Sequence, residues 1–243
     1  IGELEFPDVT RLNVKTGGQI KNFDPNKHFE QKQIGRMDRF SQFALLAANE
    51  AITSSGLEDS REEWSEDAGI ILGSSIGGIE TINYSYKQVF EKGHNKLHPL
   101  TIPKIMNNSA TSLISIEYGI QGPSFTVSSA CSSANHAMGL AYETIKSRKS
   151  SIMITGGSES FLSFGGIKPW ESLRVLSKGK CRPFSKGRDG LVHGEGAGIF
   201  VFESLESAKK RKAVIIAEII GFSMSSDASD LIKPNNIGPK KAL

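Results

Sequence analysis

The sequence predicts an α/β layered fold, and three observations support this prediction. Short apolar runs at residues 68–72 and 150–155 are typical of strands buried on both faces. Apolar residues recur at helical spacing over residues 36–55 and 132–147. Glycine-rich turns end the apolar runs, as at Gly73–Gly78. This alternation of helix and strand favours helices packed against a mostly parallel sheet.

The first half of the chain contains further elements. Residues 1–30 mix glycine, proline, asparagine and charged residues without periodicity, so they predict loops with at most short strands. Residues 79–100 predict a mixed helical segment. Asn108 or Ser109 can cap the helix that follows. The β-rich run Ser124–Val127 then predicts a strand that leads directly into the helix at 132–147.

The second half is predicted to be less regular. Residues 161–182 are interrupted by glycine and proline, which indicates a long loop with one short helix around Glu171–Val175. Strands are predicted at Gly196–Glu203 and at Val214–Phe222. A helix at Leu205–Lys212 separates them and ends in a basic cluster, as a helix C-terminus favours.

Composition excludes several classes of protein. The 243 residues are 38% hydrophobic, enough for a buried core, and a net charge of +3 argues against a dedicated nucleic-acid binder. Two cysteines give neither the pattern of a secreted disulfide scaffold nor the spacing of a metal site, so we expect a reduced, cytoplasmic environment and no bound metal. No apolar run approaches the ~18–20 residues needed to span a membrane.

Cys131 is the candidate catalytic residue. It stands where the strand at Ser124–Val127 turns into a helix, among small residues that leave room for a substrate. Free backbone N–H groups and the positive end of the helix dipole at such a position favour a thiolate and can stabilise an oxyanion. The alternative is that Cys131 is a small buried side chain in the core. The setting favours the nucleophile.

Four motifs carry a resemblance to a known family. They are Ser129-Ala-Cys131-Ser-Ser-Ala134 with the later Ile152-Met-Ile-Thr-Gly-Gly-Ser-Glu159, then Cys181-Arg-Pro-Phe-Ser-Lys-Gly-Arg-Asp-Gly190, then Gly194-Glu-Gly-Ala-Gly-Ile-Phe-Val-Phe-Glu203, and Gly221-Phe-Ser-Met-Ser-Ser-Asp-Ala228. Together they resemble the β-ketoacyl-acyl carrier protein synthases of the thiolase superfamily. The chain is most similar to the elongating type II synthases, and Phe161–Arg182 is similar to their nodulation-protein branch.

The resemblance implies a thiolase-like layered α-β-α-β-α fold, of which residues 1–243 would be an incomplete N-terminal half-repeat. Compared with the family pattern, a first strand and helix would be missing in front and the second half-repeat behind. The family's two catalytic histidines, its second oxyanion donor and its gating phenylalanine would lie beyond Leu243. We therefore expect the 243 residues alone to be inactive in condensation.

The same resemblance implies an activity: decarboxylating Claisen condensation of an acyl thioester with malonyl-acyl carrier protein, in fatty acid or polyketide chain elongation. Cys131 would be the nucleophile and its backbone N–H part of the oxyanion hole. Ile76 would line the acyl pocket, and Lys32, Arg36 and Arg174 would dock the acidic carrier protein. No cofactor is implied, because phosphopantetheine arrives on the carrier protein. The strand at 124–127 would pair with its copy in a homodimer.

Other interpretations of these residues stay open. Lys32, Arg36 and Arg174 could be ordinary solvated charges. The alternatives for function are a non-catalytic synthase-like partner subunit, which the cysteine disfavours, and a thiolase-type acyltransferase that uses coenzyme A, which the motifs around Cys181 and Arg188 disfavour. The turn after residue 72 has no nucleotide-binding fingerprint, which disfavours nucleotide binding.

Three other reactive residues are predicted to be non-catalytic. His136 lies five positions beyond Cys131, which places it about 7.5 Å further along a helix and rotated away from the thiol. His193 has no neighbouring nucleophile in the sequence. Cys181 has basic neighbours but no strand-to-helix turn to present it.

Overall fold

A four-stranded mixed sheet lies at the centre of the computed structural model, which describes residues 1–243. The strands of the chain are β1 (Gly2–Glu3), β2 (Thr16–Gly17), β3 (Gly69–Gly73), β4 (Ser124–Val127), β5 (Ile152–Glu159) and β6 (Gly196–Glu203). The central sheet has the order β4-β3-β5-β6, with β6 antiparallel to β5 and the other neighbours parallel. The turns that follow β3, β4 and β5 therefore share one edge of the sheet.

Helices cover both faces of this sheet. The helices of the chain are α1 (Gln31–Ile34), α2 (Arg39–Ser54), α3 (Arg61–Trp64), α4 (Ile79–Tyr86), α5 (Thr101–Ile105), α6 (Ser109–Tyr118), α7 (Ser133–Lys146), α8 (Phe164–Ser172), α9 (Leu205–Lys210) and α10 (Ile237–Ala242), with a π-helical turn at Lys87–Glu91. Helices α2 and α6 pack on one face and α7 on the other. The result is three layers, helix on sheet on helix. None of the helices combines the length and the apolarity that crossing a bilayer requires.

The alternation of side chains along β3 explains the two faces. Ile70 packs with Phe40 of α2 and Ile114 of α6, whereas Ile71 packs with Ala137 of α7 and with Met153 of β5. All six of these side chains are fully buried. A strand buried on both faces must be apolar at successive positions, which is the pattern that predicted β3 and β5.

The helix boundaries differ slightly from those predicted and have identifiable causes. α2 begins at Arg39 rather than near residue 36, because the Asp38 side chain accepts a hydrogen bond from the Phe40 N–H and caps the helix. α6 follows Asn108, as predicted, and ends at Gly119, whose φ of 66° is the left-handed conformation that ends helices.

Two predicted elements are wrong. The strand at Val214–Phe222 does not form, because no other strand of the chain pairs with it, and Val214, Ile216 and Ile220 are 91%, 96% and 89% exposed. The helix placed at Glu171–Val175 lies earlier, at α8. Ser163 caps α8 by accepting from the Gly166 N–H. The buried Ile167 packs α8 against Leu4, Leu12 and Leu162, so tertiary contacts outweigh the glycine and proline residues.

Candidate active site

The candidate nucleophile lies in a tight turn at the edge where the parallel strands end. Cys131 is exposed and stands between the end of β4 at Val127 and the start of α7 at Ser133. The preceding residue, Ala130, has a φ of 52°, in the left-handed region that residues other than glycine rarely adopt. This conformation costs roughly 1–2 kcal/mol and persists where the surroundings hold it in place. The turn is therefore a sharply bent segment that presents the thiol to solvent.

Hydrogen bonds hold the turn to α7. The Ser129 N–H donates to Ser133 Oγ at 2.9 Å, and Ser133 Oγ donates to the Ala130 carbonyl at 2.6 Å. The Ser129 hydroxyl lies 2.7 Å from His136 Nδ1. His136, predicted to be non-catalytic, thus contacts the turn from one helical turn further along α7.

The N–H groups at the start of α7 are available to an anion. The N–H groups of Cys131, Ala134 and Asn135 donate to no acceptor within the chain, whereas that of His136 already bonds the Ser132 carbonyl. Free donors at the positive end of a helix stabilise negative charge. The Cys131 N–H is therefore free to donate a hydrogen bond, and its part in an oxyanion hole stays a prediction.

The loop that follows β3 lies beside this turn. The Ser128 hydroxyl donates to the Ser75 carbonyl at 3.2 Å, one residue before Ile76, the predicted acyl-pocket residue, which is half-buried. Glu159 holds the loop from the end of β5. Its carboxylate accepts the Ser75 N–H at 2.7 Å, the Ser75 hydroxyl and, at 3.4 Å, the Ser74 hydroxyl. The fold therefore brings the Ile76 loop and the Cys131 turn together.

A cluster of buried charges lies beneath this edge of the sheet. Arg39 pairs with Glu195 through two hydrogen bonds, of 2.9 Å and 2.7 Å, and the Glu195 side chain is 1% exposed. The Ser160 hydroxyl lies 2.6 Å from Glu80 and 2.8 Å from Glu195. Burial, with the nearby charges of Asp38 and Glu195, raises the pKa of Glu80 to about 7. The Ser160 hydroxyl has one proton and can donate a hydrogen bond to only one of the two carboxyl groups. A proton on Glu80 allows the Glu80 carboxyl to donate to the Ser160 oxygen while Ser160 donates to Glu195.

Asp38 belongs to the same cluster. Burial raises its pKa, although its carboxylate accepts the Thr81 N–H at 2.8 Å and the Thr81 hydroxyl at 2.6 Å, which lowers the pKa. These bonds tie the start of α2 to α4. The cluster thus joins the ends of α2, α4, β5 and β6.

The three predicted docking cations lie on the surface. Lys32 is in α1, Arg36 is in the turn before α2, and Arg174 follows α8 with a φ of 57°. All three are exposed, and the seven ion pairs of the chain involve other cations. Arg39, their basic neighbour in sequence, turns inward to Glu195 instead.

The remaining candidates lie apart from the turn. Cys181 is exposed in an irregular loop. His193 packs edge-on between Phe161 and Trp170, with ring centroids 4.8 Å and 4.9 Å away. Burial lowers the pKa of His193, and its Nε2 atom has no hydrogen-bond partner. His193 is therefore part of a packed aromatic cluster with Phe161 and Trp170.

Sequence reasoning missed several residues of the site. Glu159 ends one of the motifs, but the sequence gives it no role because its partners, Ser74 and Ser75, are more than eighty positions away. The left-handed Ala130 has no signature, since alanine does not favour that conformation. The Glu80, Ser160 and Glu195 cluster depends wholly on tertiary packing.

The fold and the position of Cys131 define the class of protein: a thiolase-like protein with an exposed cysteine at a strand-to-helix turn. The model of the β-ketoacyl synthase N-terminal domain matches residues 5–208, and the chain belongs to this family.

Individual relatives agree with this assignment. The chain is 38% identical over 239 residues to 3-oxoacyl-[acyl-carrier-protein] synthase 2 from Staphylococcus aureus, covering 96% of this chain and 59% of that protein. It is 40% identical over 244 residues to nodulation protein E from Rhizobium sp. (strain N33), covering 100% of this chain and 60% of that protein. Among solved structures, the ishigamide ketosynthase/chain length factor matches with a TM-score of 0.87 at 29% identity, covering 94% of this chain and 57% of the other. The chain thus spans about three fifths of the length of these relatives.

Proposed function

We propose that this chain supplies the nucleophile-bearing part of an elongating 3-oxoacyl-[acyl-carrier-protein] synthase. The observation that carries the proposal is the exposed Cys131, which follows a left-handed Ala130 and lies two residues before the start of α7. The name of one curated relative, a 3-oxoacyl-[acyl-carrier-protein] synthase, supports an acyl thioester as the substrate.

The first proposed step is acyl transfer to the cysteine. The Cys131 thiolate attacks the carbonyl carbon of an acyl group carried on the phosphopantetheine arm of acyl carrier protein. The resulting oxyanion accepts a hydrogen bond from the Cys131 N–H, which has no acceptor within the chain. When the tetrahedral intermediate collapses, the phosphopantetheine thiolate leaves and the acyl group stays on Cys131. No resident cofactor or metal takes part.

The second proposed step belongs to the whole protein. Malonyl-acyl carrier protein loses CO₂, and the resulting carbanion attacks the carbonyl carbon of the acyl-cysteine. The Cys131 thiolate leaves, and the product is a 3-oxoacyl chain two carbons longer. His136, which contacts the turn, has its Nδ1 engaged by the Ser129 hydroxyl. We therefore expect the 243 residues alone to take up an acyl group without completing condensation.

Substrate contacts are proposed for the surrounding residues. Ile76 is half-buried in the loop that contacts the Cys131 turn, which supports a place for it along the acyl chain. The exposed Lys32, Arg36 and Arg174 carry unpaired positive charge that suits an acidic carrier protein. A non-catalytic partner subunit has no need of an exposed thiol at a helix start, so Cys131 favours the enzyme.

Transfer of an acyl group to the chain tests this proposal. The chain is incubated with an acyl-acyl carrier protein, and the modified peptide is identified by mass spectrometry. We expect the mass of one acyl group on the peptide that contains Cys131, and none in Cys131→Ser. Cys181→Ser is the matched control, because Cys181 is the other exposed thiol, and it should acylate normally. Acylation that survives Cys131→Ser would contradict the proposal. A condensation product formed by the isolated chain would contradict the expectation that the 243 residues alone do not complete condensation.

A homodimer through β4 is part of the same proposal. β4 is an edge strand that pairs only with β3, and Phe125 on it is 43% exposed. An unpaired strand edge favours pairing with a second copy. We expect a dimer by native mass spectrometry and a monomer after Phe125→Lys. Phe200→Lys is the control, since Phe200 is 53% exposed on β6 at the opposite edge of the sheet. A monomeric wild-type chain, or dissociation by both variants, would contradict this arrangement.

A cytoplasmic location also remains a proposal. It is supported by the two free thiols, which a reducing compartment preserves. Labelling of Cys131 and Cys181 in intact cells and in lysates would test it.

A further inference from the structure

The residue two positions before Cys131 is fixed at both its main chain and its side chain. The Ser129 N–H donates to Ser133 Oγ at 2.9 Å, and the Ser129 hydroxyl lies 2.7 Å from His136 Nδ1. Either tautomer of His136 satisfies the second contact, because a hydroxyl both donates and accepts. His136 thus connects the turn to the second turn of α7.

His136 is itself held in place. The Phe222 ring packs edge-on against the His136 ring, with centroids 6.4 Å apart and an interplanar angle of 81°. Phe222 also lies directly over Gly139 of α7, where an added Cβ would be only 2.2 Å from the ring. This close packing restricts the imidazole to the side of α7 that faces Ser129.

The position of Ala130 explains why the contact between Ser129 and His136 matters. Ala130 lies between Ser129 and Cys131 and has the strained φ of 52°. A strained residue relaxes unless its neighbours fix it. If Ser129 were free, the turn could relax and move the Cys131 sulfur away from the N–H groups at the start of α7.

We propose that His136 is a positioning residue for Cys131, acting through its hydrogen bond with Ser129. His136 does not touch the substrate or the sulfur; it keeps the turn in the conformation that presents the thiol to the helix start. This inference rests on the proposed role of Cys131 as nucleophile.

Alkylation of the two cysteines tests the proposal without requiring turnover. The rates of iodoacetamide addition to Cys131 and Cys181 are measured in the same sample by peptide mass spectrometry, so that Cys181 is an internal reference. We expect Cys131 to react faster than Cys181 in the unaltered chain. His136→Ala and Ser129→Ala should each slow Cys131 by about three- to tenfold, the effect of one hydrogen bond.

Three further variants make the test specific. The double variant should be no slower than either single variant, because both remove the same bond. His136→Asn can place a polar group near the Nδ1 position and should restore most of the rate. His94→Ala is the control, because the His94 side chain is exposed and makes no hydrogen bond within the chain, and it should leave both rates unchanged.

The outcomes separate this inference from the proposed function. A fast Cys131 that His136→Ala leaves unchanged would overturn the positioning role and leave the nucleophile intact. Equal slowing of Cys181 would assign the effect to a general loss of structure and would also overturn it. A Cys131 no faster than Cys181 in the unaltered chain would overturn the nucleophile itself.

Discussion

Gly73, the last residue of β3, lies directly against Ala134 in the first turn of α7: a Cβ atom added to Gly73 would be 2.3 Å from the Ala134 nitrogen. It would also be 2.2 Å from the Ser133 carbonyl carbon. The start of α7 can approach the sheet this closely only because residue 73 has no side chain. The contact sets the position of the turn that carries Cys131.

Gly73→Ala should therefore destabilise the chain. The atoms in the way are backbone atoms of α7 and cannot rotate aside, so we expect a loss of about 3 kcal/mol of unfolding free energy, the upper end for overpacking, measured by urea denaturation. Gly198→Ala is the matched control in the same sheet, since its Cβ would meet nothing within 4 Å. A similar small cost for both variants would show that α7 can shift without penalty.

The Glu80 carboxyl should make stability depend on pH. Its pKa is raised to about 7 in the folded chain, from 4.5, by burial and by the charges of Asp38 and Glu195, against the opposing effects of Ser160 and Arg39. The folded state holds the proton more tightly, so this stabilisation is complete below about pH 4.5 and is lost as the pH rises through 7. The raised pKa of Asp38 acts in the same direction.

Glu80→Gln removes this titration while keeping the size of the side chain. We expect the variant to lose less unfolding free energy than the unaltered chain between pH 5 and pH 8, by up to about 3 kcal/mol at 1.36 kcal/mol per pKa unit. Urea denaturation at the two pH values measures the difference. Glu91→Gln, at an exposed position, is the control and should behave like the unaltered chain. Parallel pH profiles for all three proteins would refute the assignment.

Glu159 should stabilise the loop that carries Ile76. Its carboxylate accepts the Ser75 N–H at 2.7 Å, so Glu159→Ala leaves that amide without its partner. We expect amide hydrogen exchange at Ser75 to rise about 10- to 100-fold, as the loss of a bond to a charged group predicts. Glu143→Ala, an exposed position on α7, should leave that exchange unchanged. If exchange at Ser75 is insensitive to Glu159, the loop is held by other contacts.

The apolar segment at residues 214–220 should make the isolated chain associate. Val214, Ile216 and Ile220 lie in a segment without regular secondary structure and are 91%, 96% and 89% exposed. Clustered exposed apolar side chains favour association between copies of a chain. Changing all three to threonine should lower light scattering at high protein concentration while leaving the thermal unfolding midpoint within a few degrees.

A matched change elsewhere identifies the segment responsible. Ile116→Thr, at a residue 79% exposed on α6, removes a similar apolar surface from another part of the chain. It should reduce scattering less than the triple variant does. Equal scattering from the triple variant and the unaltered chain would mean that association arises at another surface.

Local patterns predicted most of the regular structure. β3 and β5 were recognisable because strands buried on both faces must be apolar at successive positions, and α2 and α7 because one helical face must be apolar. The same reasoning failed at Val214–Phe222. A strand needs a partner as well as a suitable sequence, and this chain provides no partner for it.

For the site, the sequence by itself determined that Cys131 stands between a strand and a helix among small residues, because both elements have local signatures. Only the tertiary structure decided what surrounds it: the left-handed Ala130, the contact of Ser129 with His136, and the Glu159 carboxylate on the Ile76 loop. The longer-range contacts join residues that are distant in the chain but meet where parallel strands end at one edge of a sheet. Such contacts depend on how the helices and strands pack against one another. The periodicity of a single sequence does not predict them.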